Sequence, residues 1–251
     1  MRSQILALIN RRNETQRTKI CYRILSLLNM GERDAPPHLC AVPPSGCLRR
    51  VRRAARTELH AIDTLTLSDS QFLSGDTNAR AVVTTGALRI PRGEGRLPVV
   101  VLQHGSSGMA ANVEMWAREF NEIGISTLAL DGFTGRGLTD VNSNQALLGR
   151  LNFVLDIYRA LDVLAKHPRV DPHRIALMGF SRGGQAALYA SLTRFHKMWN
   201  RSGIEFAAYI PFYPDCATTF VADTEVADRP IRIFGGTQDD YNPIALCKAY
   251  V

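Results

Sequence analysis

Residues 174–186, Arg174-Ile175-Ala176-Leu177-Met178-Gly179-Phe180-Ser181-Arg182-Gly183-Gly184-Gln185-Ala186, decide the fold. An apolar run of strand length (RIALMGF, 174–180) meets a segment rich in helix formers (QAALYASLT, 185–193), and Ser181 sits at the tip of the turn between them. A serine on so sharp a strand-to-helix turn leaves no room for β-carbons two residues to either side, and Gly179 and Gly183 remove them. Strand, strained turn and helix is the order a nucleophile elbow needs. A glycine-rich turn that only packs a helix on a sheet would look the same locally, so the surroundings decide between the two.

Outward from the elbow the pattern is regular. Residues 98–103 (PVVVLQ) and 126–130 read as buried strands, and residues 206–212 and 231–234 as two more. Between them lie a helix over 111–123, with Trp116 and Phe120 on one face, and a longer one over 146–165 carrying Leu147, Leu151, Val154, Tyr158, Leu161 and Leu164 at helical spacing. Upstream, residues 61–68 alternate as a strand should, and 81–90 can return beside them as an antiparallel neighbour. Continuous apolar strands separated by helices predict an α/β fold, a mostly parallel sheet covered on both faces with antiparallel strands at its start. One domain over 57–251 is expected, since no repeat or linker divides it. In such sheets ligands bind outside the carboxyl ends of the strands, where Ser181, the His104–Gly108 run, residues 131–137 and residues 235–240 all fall.

The formal charge of +7 is unevenly placed: residues 1–56 hold 12 Lys+Arg against 3 Asp+Glu, and the remainder 18 against 20. The near-neutral body gives no sign of a nucleic-acid face. The basic segment, with Arg49, Arg50, Arg52, Arg53 and Arg56, reads as a poorly ordered extension; a basic arm for an acidic partner or a membrane surface is the alternative, and nucleic-acid binding a third reading. Its apolar patches are too short to span a bilayer or to make a secretory signal, and the sequence assigns neither compartment nor oligomeric state. The five cysteines, Cys21, Cys40, Cys47, Cys216 and Cys247, lack metal-ligand spacing. Cys216 and Cys247 each follow a predicted strand end and could share one rim of the sheet; two buried free thiols are expected there in preference to a disulfide.

A serine hydroxyl needs a base to take its proton, and the base needs a carboxylate to orient it, in the chain order Ser, acid, His for this architecture. Asp239, just past the strand ending at Phe234, is the candidate acid, with Asp240 its neighbour; capping a helix ahead of Pro243 is the competing role for either. The loop His104-Gly105-Ser106-Ser107-Gly108 suits an oxyanion hole, with the Ser106 amide joining that of Arg182, the residue after the nucleophile. Ser107 and Arg136 are candidate substrate contacts; Arg136 and Arg182 beside the cleft are expected to be merely solvated, a preference for a carboxylate-bearing substrate being the alternative. His104 precedes the serine and is expected to hold its turn rather than act as base.

The set VVVLQHGSSG, ALDGFTGRG, GFSRGGQAALYAS, YIPFYPDC and GGTQDDYNPIALC resembles the dienelactone hydrolase family of α/β-hydrolases over residues 65–251. The resemblance implies hydrolysis of small-molecule esters or lactones without metal or organic cofactor, Ser181 as nucleophile, Asp239 as triad acid, and the amides of Arg182 and Ser106 as oxyanion donors. Serine replaces the cysteine of the best-known members at the elbow, so a strict dienelactone substrate is not implied. The six histidines are His38, His60, His104, His167, His173 and His196, and none follows Asp239. The expectation is a C-terminal truncation that lacks the catalytic histidine with a final strand and helix, which would leave a sheet edge open. A non-catalytic binding protein that keeps the elbow as scaffold is the alternative.

Overall fold

The computed structural model describes residues 55–251 together with Ala7, Leu8, Ile24, Ser26 and Leu28. A mixed sheet of eight strands forms its centre: β1 (Ala7–Leu8), β2 (Ala55–Thr66), β3 (Arg80–Pro91), β4 (Leu97–Gln103), β5 (Ser126–Asp131), β6 (Val170–Phe180), β7 (Ala208–Phe212) and β8 (Phe234–Gly235), in the order β1-β8-β7-β6-β4-β5-β3-β2. β4 to β8 run parallel, and β2 and β3 form an antiparallel hairpin that joins β5 through β3.

The alternation of the central strands makes two cores. Val99 and Val101 of β4 and Ile175 and Leu177 of β6 face one layer with Phe153, Ile157 and Leu161; Val100, Leu102, Ala176 and Met178 face the other with Trp116 and Phe120. Both layers are closed, which is why these strands read as unbroken apolar runs. Ile24 and Leu28 are buried in the second layer, so these two apolar positions of the basic segment lie against the domain. β8 is not open on its outer side, contrary to the expected bare edge: Ala7 and Leu8 pair in parallel with Phe234 and Gly235.

The helices differ from expectation at their starts. The predicted helix over 146–165 is a short 3-10 turn, Gln145–Leu147, followed by α3, Asn152–Ala165. The interruption falls where Leu148 turns its carbonyl to the Arg182 guanidinium and the Asn152 side chain bonds the backbone of Leu67. A helix not expected, α1 (Asp69–Ser74), follows the first hairpin strand. Its signal stands in the sequence: Ser68 and Gln71 form a reciprocal capping box, and Gly75 closes the helix in the left-handed region at φ 76°. The remaining helices are α2 (Ala111–Glu122), α4 (Arg182–Tyr189), α5 (Thr193–Trp199) and α6 (Ile244–Tyr250). No described helix is long and apolar enough to cross a membrane.

Cys216, past the end of β7, and Cys247, on α6, form a disulfide with their Cα atoms 5.0 Å apart. This corrects the expectation of two free thiols. Both are buried, but β7 and α6 bring them face to face, an adjacency that no local sequence signal carries.

Candidate active site

β6 ends at Phe180 and α4 begins at Arg182, so Ser181 alone makes the turn, at φ 53° and ψ −116°. A non-glycine residue held there costs about 1–3 kcal/mol and persists only where its surroundings impose it. They do: the Ser181 amide donates to Phe212 O at the end of β7, and its carbonyl accepts from the Gln185 amide. A β-carbon on Gly179 would enter the Gly183 carbonyl, one on Gly183 would meet the carbonyls of Gln103 and His104, and one on Gly184 that of Phe212. The three glycines thus let strand, turn and helix interlock. Although serine at a helix start commonly caps it, Ser181 makes no cap bond and instead lines a cleft of about 440 Å³.

The opposite wall of that cleft is the loop after β4, with Gly105, Ser106, Ser107 and Gly108; a β-carbon on Gly105 would stand 2.9 Å from Phe180 O and 3.3 Å from Ser181 Cβ. The Ser106 hydroxyl donates to Gln145 Oε1 (3.0 Å), and the Ser107 hydroxyl to Asn142 Oδ1 (3.3 Å). Gln145 is the residue that sequence reasoning missed. Its Oε1 also accepts from the Arg182 guanidinium at 3.0 Å, so one side chain ties the Ser106 loop to the residue after the nucleophile. Asn112, Tyr213 and Tyr241 complete the polar lining.

His104 is fully buried against Phe133 and Phe153. Its Nε2 accepts from the Gly132 amide at 3.1 Å, which puts the proton on Nδ1, and Nδ1 donates to Gly105 O at 2.7 Å. Burial lowers its pKa, opposed by the Gly105 bond and the charge of Asp131. A neutral, doubly bonded imidazole inside the core holds the turn, as expected, and does not serve the cleft.

Arg136 requires a correction. Its guanidinium is buried on the Asp156 carboxylate at 2.6 and 2.9 Å and also donates to Gly132 O, Leu65 O and Thr66 Oγ1. Every direction of the fork is taken by protein, so Arg136 fastens the β2 hairpin to α3 and is not placed to meet a substrate. Burial raises the Asp156 pKa, against the opposing pull of Arg136 and the Thr64 hydroxyl. The Arg182 side chain is likewise turned inward, onto Gln145 O, Gln145 Oε1 and Leu148 O, with its pKa lowered to about 10 by burial and by Arg150. Both arginines are buried on protein partners and not solvated as expected, and the alternative of a carboxylate-bearing substrate loses both of its cations.

Asp239 lies in the loop before α6, and its Oδ1 accepts from the amides of Tyr241 (3.2 Å) and Asn242 (2.9 Å). Tyr241 reaches the cleft wall, while neither Asp239 nor Asp240 forms part of it. Among the described residues, no histidine stands in that wall. His167 and His60 pair with Glu58 on the edge strand, and His196 bonds Asn200. His38 lies outside the described residues.

Sheet order, elbow and facing loop define an α/β-hydrolase. The profile of the dienelactone hydrolase family matches residues 84–248, and the chain belongs to that family. No curated protein matches the sequence. Among solved structures, it is similar to a dienelactone hydrolase-like promiscuous phosphotriesterase from metagenomic libraries (19% identity, 78% of this chain and 75% of that one, TM-score 0.58). It is similar also to a protein of Klebsiella pneumoniae subsp. pneumoniae assigned as a dienelactone hydrolase (15% identity, 77% and 79% covered, TM-score 0.53). A puromycin hydrolase shares the fold over 79% of this chain and 33% of its own, at 18% identity and a TM-score of 0.55.

Proposed function

We propose that this hydrolase acts on carboxylic esters or lactones through an acyl-enzyme on Ser181. The observation that carries the reading is the strained Ser181 backbone, which leaves the hydroxyl uncommitted to the helix and directed to a cleft. In this reading Ser181 Oγ attacks the acyl carbon, the amides of Arg182 and Ser106 hold the developing oxyanion, the alcohol leaves, and water hydrolyses the acyl-enzyme to return the serine. Arg182 opens its helix, where an amide has no intrahelical acceptor, which supports the oxyanion role. Ser107 is assigned to substrate contact from the facing wall. Asp239 is assigned as triad acid, Asp240 being its neighbour, and the chain order of the triad assigns the base to a position after it. A second reading, a small-molecule binder without turnover, is favoured by one observation: among the described residues, the cleft wall contains no histidine.

Release of nitrophenolate from p-nitrophenyl esters and opening of an aryl lactone, each followed across an imidazole titration, separate the two. The hydrolase reading expects turnover that saturates with added imidazole as a substitute base and is absent from Ser181→Ala. Equal rates for the chain and Ser181→Ala at every imidazole concentration remove Ser181 as nucleophile. Saturable ligand binding with no Ser181-dependent turnover establishes the second reading.

A further inference from the structure

At the rim opposite the cleft, separated from Ser181 by the 11 residues of β6, three potential metal ligands converge. Glu58 and His60 are two apart on β2 and so project from one face of the strand, and His167 reaches them from just past α3. Glu58 Oε2 lies 3.2 Å from His60 Nε2 and 3.0 Å from His167 Nε2, and the three ligand atoms all stand within 4.8 Å of one another. The two imidazole rings are 5.7 Å apart and nearly perpendicular, at 82°.

We propose that Glu58, His60 and His167 form a binding site for a divalent transition metal ion of the zinc class. Zinc bonds of about 2.0–2.2 Å in a tetrahedral shell put neighbouring ligand atoms about 3.3 Å apart, so two of the three edges already have the required length. The third edge, at most 4.8 Å, closes by rotation of the His60 imidazole, which is partly exposed. Arg56 engages the other carboxylate oxygen, which leaves Oε2 aimed at the histidines and orients the ligand as an outer-shell partner does. That arginine also offsets the carboxylate charge, so the site selects an ion that bonds imidazole well and passes over magnesium and calcium. Binding exchanges the two Nε2–Glu58 contacts for bonds to the ion and changes one contact beyond them. With Nε2 on the metal, His167 carries its proton on Nδ1, which displaces the 3.2 Å bond that Nδ1 now accepts from the Arg169 amide. Three protein ligands leave a fourth position for water, and the ion clips the edge strand β2 to the turn that feeds β6.

The test uses the untagged full chain, stripped with chelator, with cobalt(II) as the spectroscopic probe. The expected result is a visible d–d spectrum of a four- or five-coordinate nitrogen–oxygen site, displaced by one equivalent of zinc and unaffected by magnesium. His60→Gln and His167→Gln are each expected to weaken binding by more than about 100-fold, beyond what loss of an outer-shell partner costs. Ser181→Ala is expected to bind as the parent does, which keeps this outcome apart from that of the proposed hydrolase. Glu58→Gln keeps an acceptor for both imidazoles and serves as the fold control, losing cobalt while its metal-free melting temperature stays near that of the parent. The proposal is overturned if the parent gives no such spectrum, or if both histidine variants give it undiminished, as metal held by Cys21, Cys40 or Cys47 would.

Discussion

Breaking the Cys216–Cys247 disulfide is expected to cost stability in proportion to the loop it closes. The bond spans 31 residues, and the chain-entropy relation gives about 3.7 kcal/mol at 25 °C for a loop of that length. The segment enclosed includes β8 and the Asp239–Tyr241 turn, and it ends on α6, so its release loosens β8 and the Tyr241 part of the cleft wall together. Urea unfolding followed by tryptophan fluorescence, with and without reductant, measures the loss. With a slope of about 2–3 kcal/mol per M, the midpoint of the reduced chain should fall by at least about 1 M. The Cys216→Ala/Cys247→Ala double variant should show the low midpoint without reductant and no further change on adding it. Equal midpoints and slopes for oxidised parent and double variant would refute the reasoning, because the cross-link would then constrain nothing that unfolding releases.

Other outcomes follow from the same geometry. Gly183→Ala drives a methyl group into the carbonyls of Gln103 and His104 and should cost at least about 1–3 kcal/mol and abolish Ser181 reactivity, read by urea midpoint and probe labelling. Arg136→Met strands the buried Asp156 carboxylate and should cost about 3–5 kcal/mol, while KM for neutral esters, compared with carboxylate-bearing ones, stays unchanged in the folded fraction. His104 is held neutral by burial, so the unfolded chain binds a proton that the folded one refuses as pH falls below the ordinary imidazole value of about 6.5. Its contribution is complete above that value and should decline at up to about 1.4 kcal/mol per pH unit toward the folded pKa, a slope that urea titrations across pH 7.5 to 5 should find reduced in His104→Gln.

The elbow and its flanking strands were legible because most of their signals are local: Gly179 answers a clash with the Gly183 carbonyl four residues on, and RIALMGF is apolar because both faces of β6 are covered. His104 was legible for the same reason, since it serves the turn it begins. Arg136 was not. Its place in the ALDGFTGRG loop puts it on the correct rim, but the partner that turns it inward is Asp156, 20 residues on and on a helix whose facing is set by packing. Gln145 was missed because it begins a 3-10 turn that looked like the start of the long helix; only the meeting of two loops gives its amide a role. The cysteine pair required knowing that α6 folds back onto the end of β7. The Ser68–Gln71 capping box, by contrast, was present in the sequence and went unread.

The central claim is that Ser181 is a nucleophile held ready by its backbone. Treatment of the folded chain with a fluorophosphonate probe in the presence of imidazole, followed by tryptic mass spectrometry, tests it most directly. The account predicts one adduct, on peptide 175–182 at Ser181, absent after unfolding and absent from Ser181→Ala. An unlabelled folded chain, or an adduct that survives in Ser181→Ala, would contradict it.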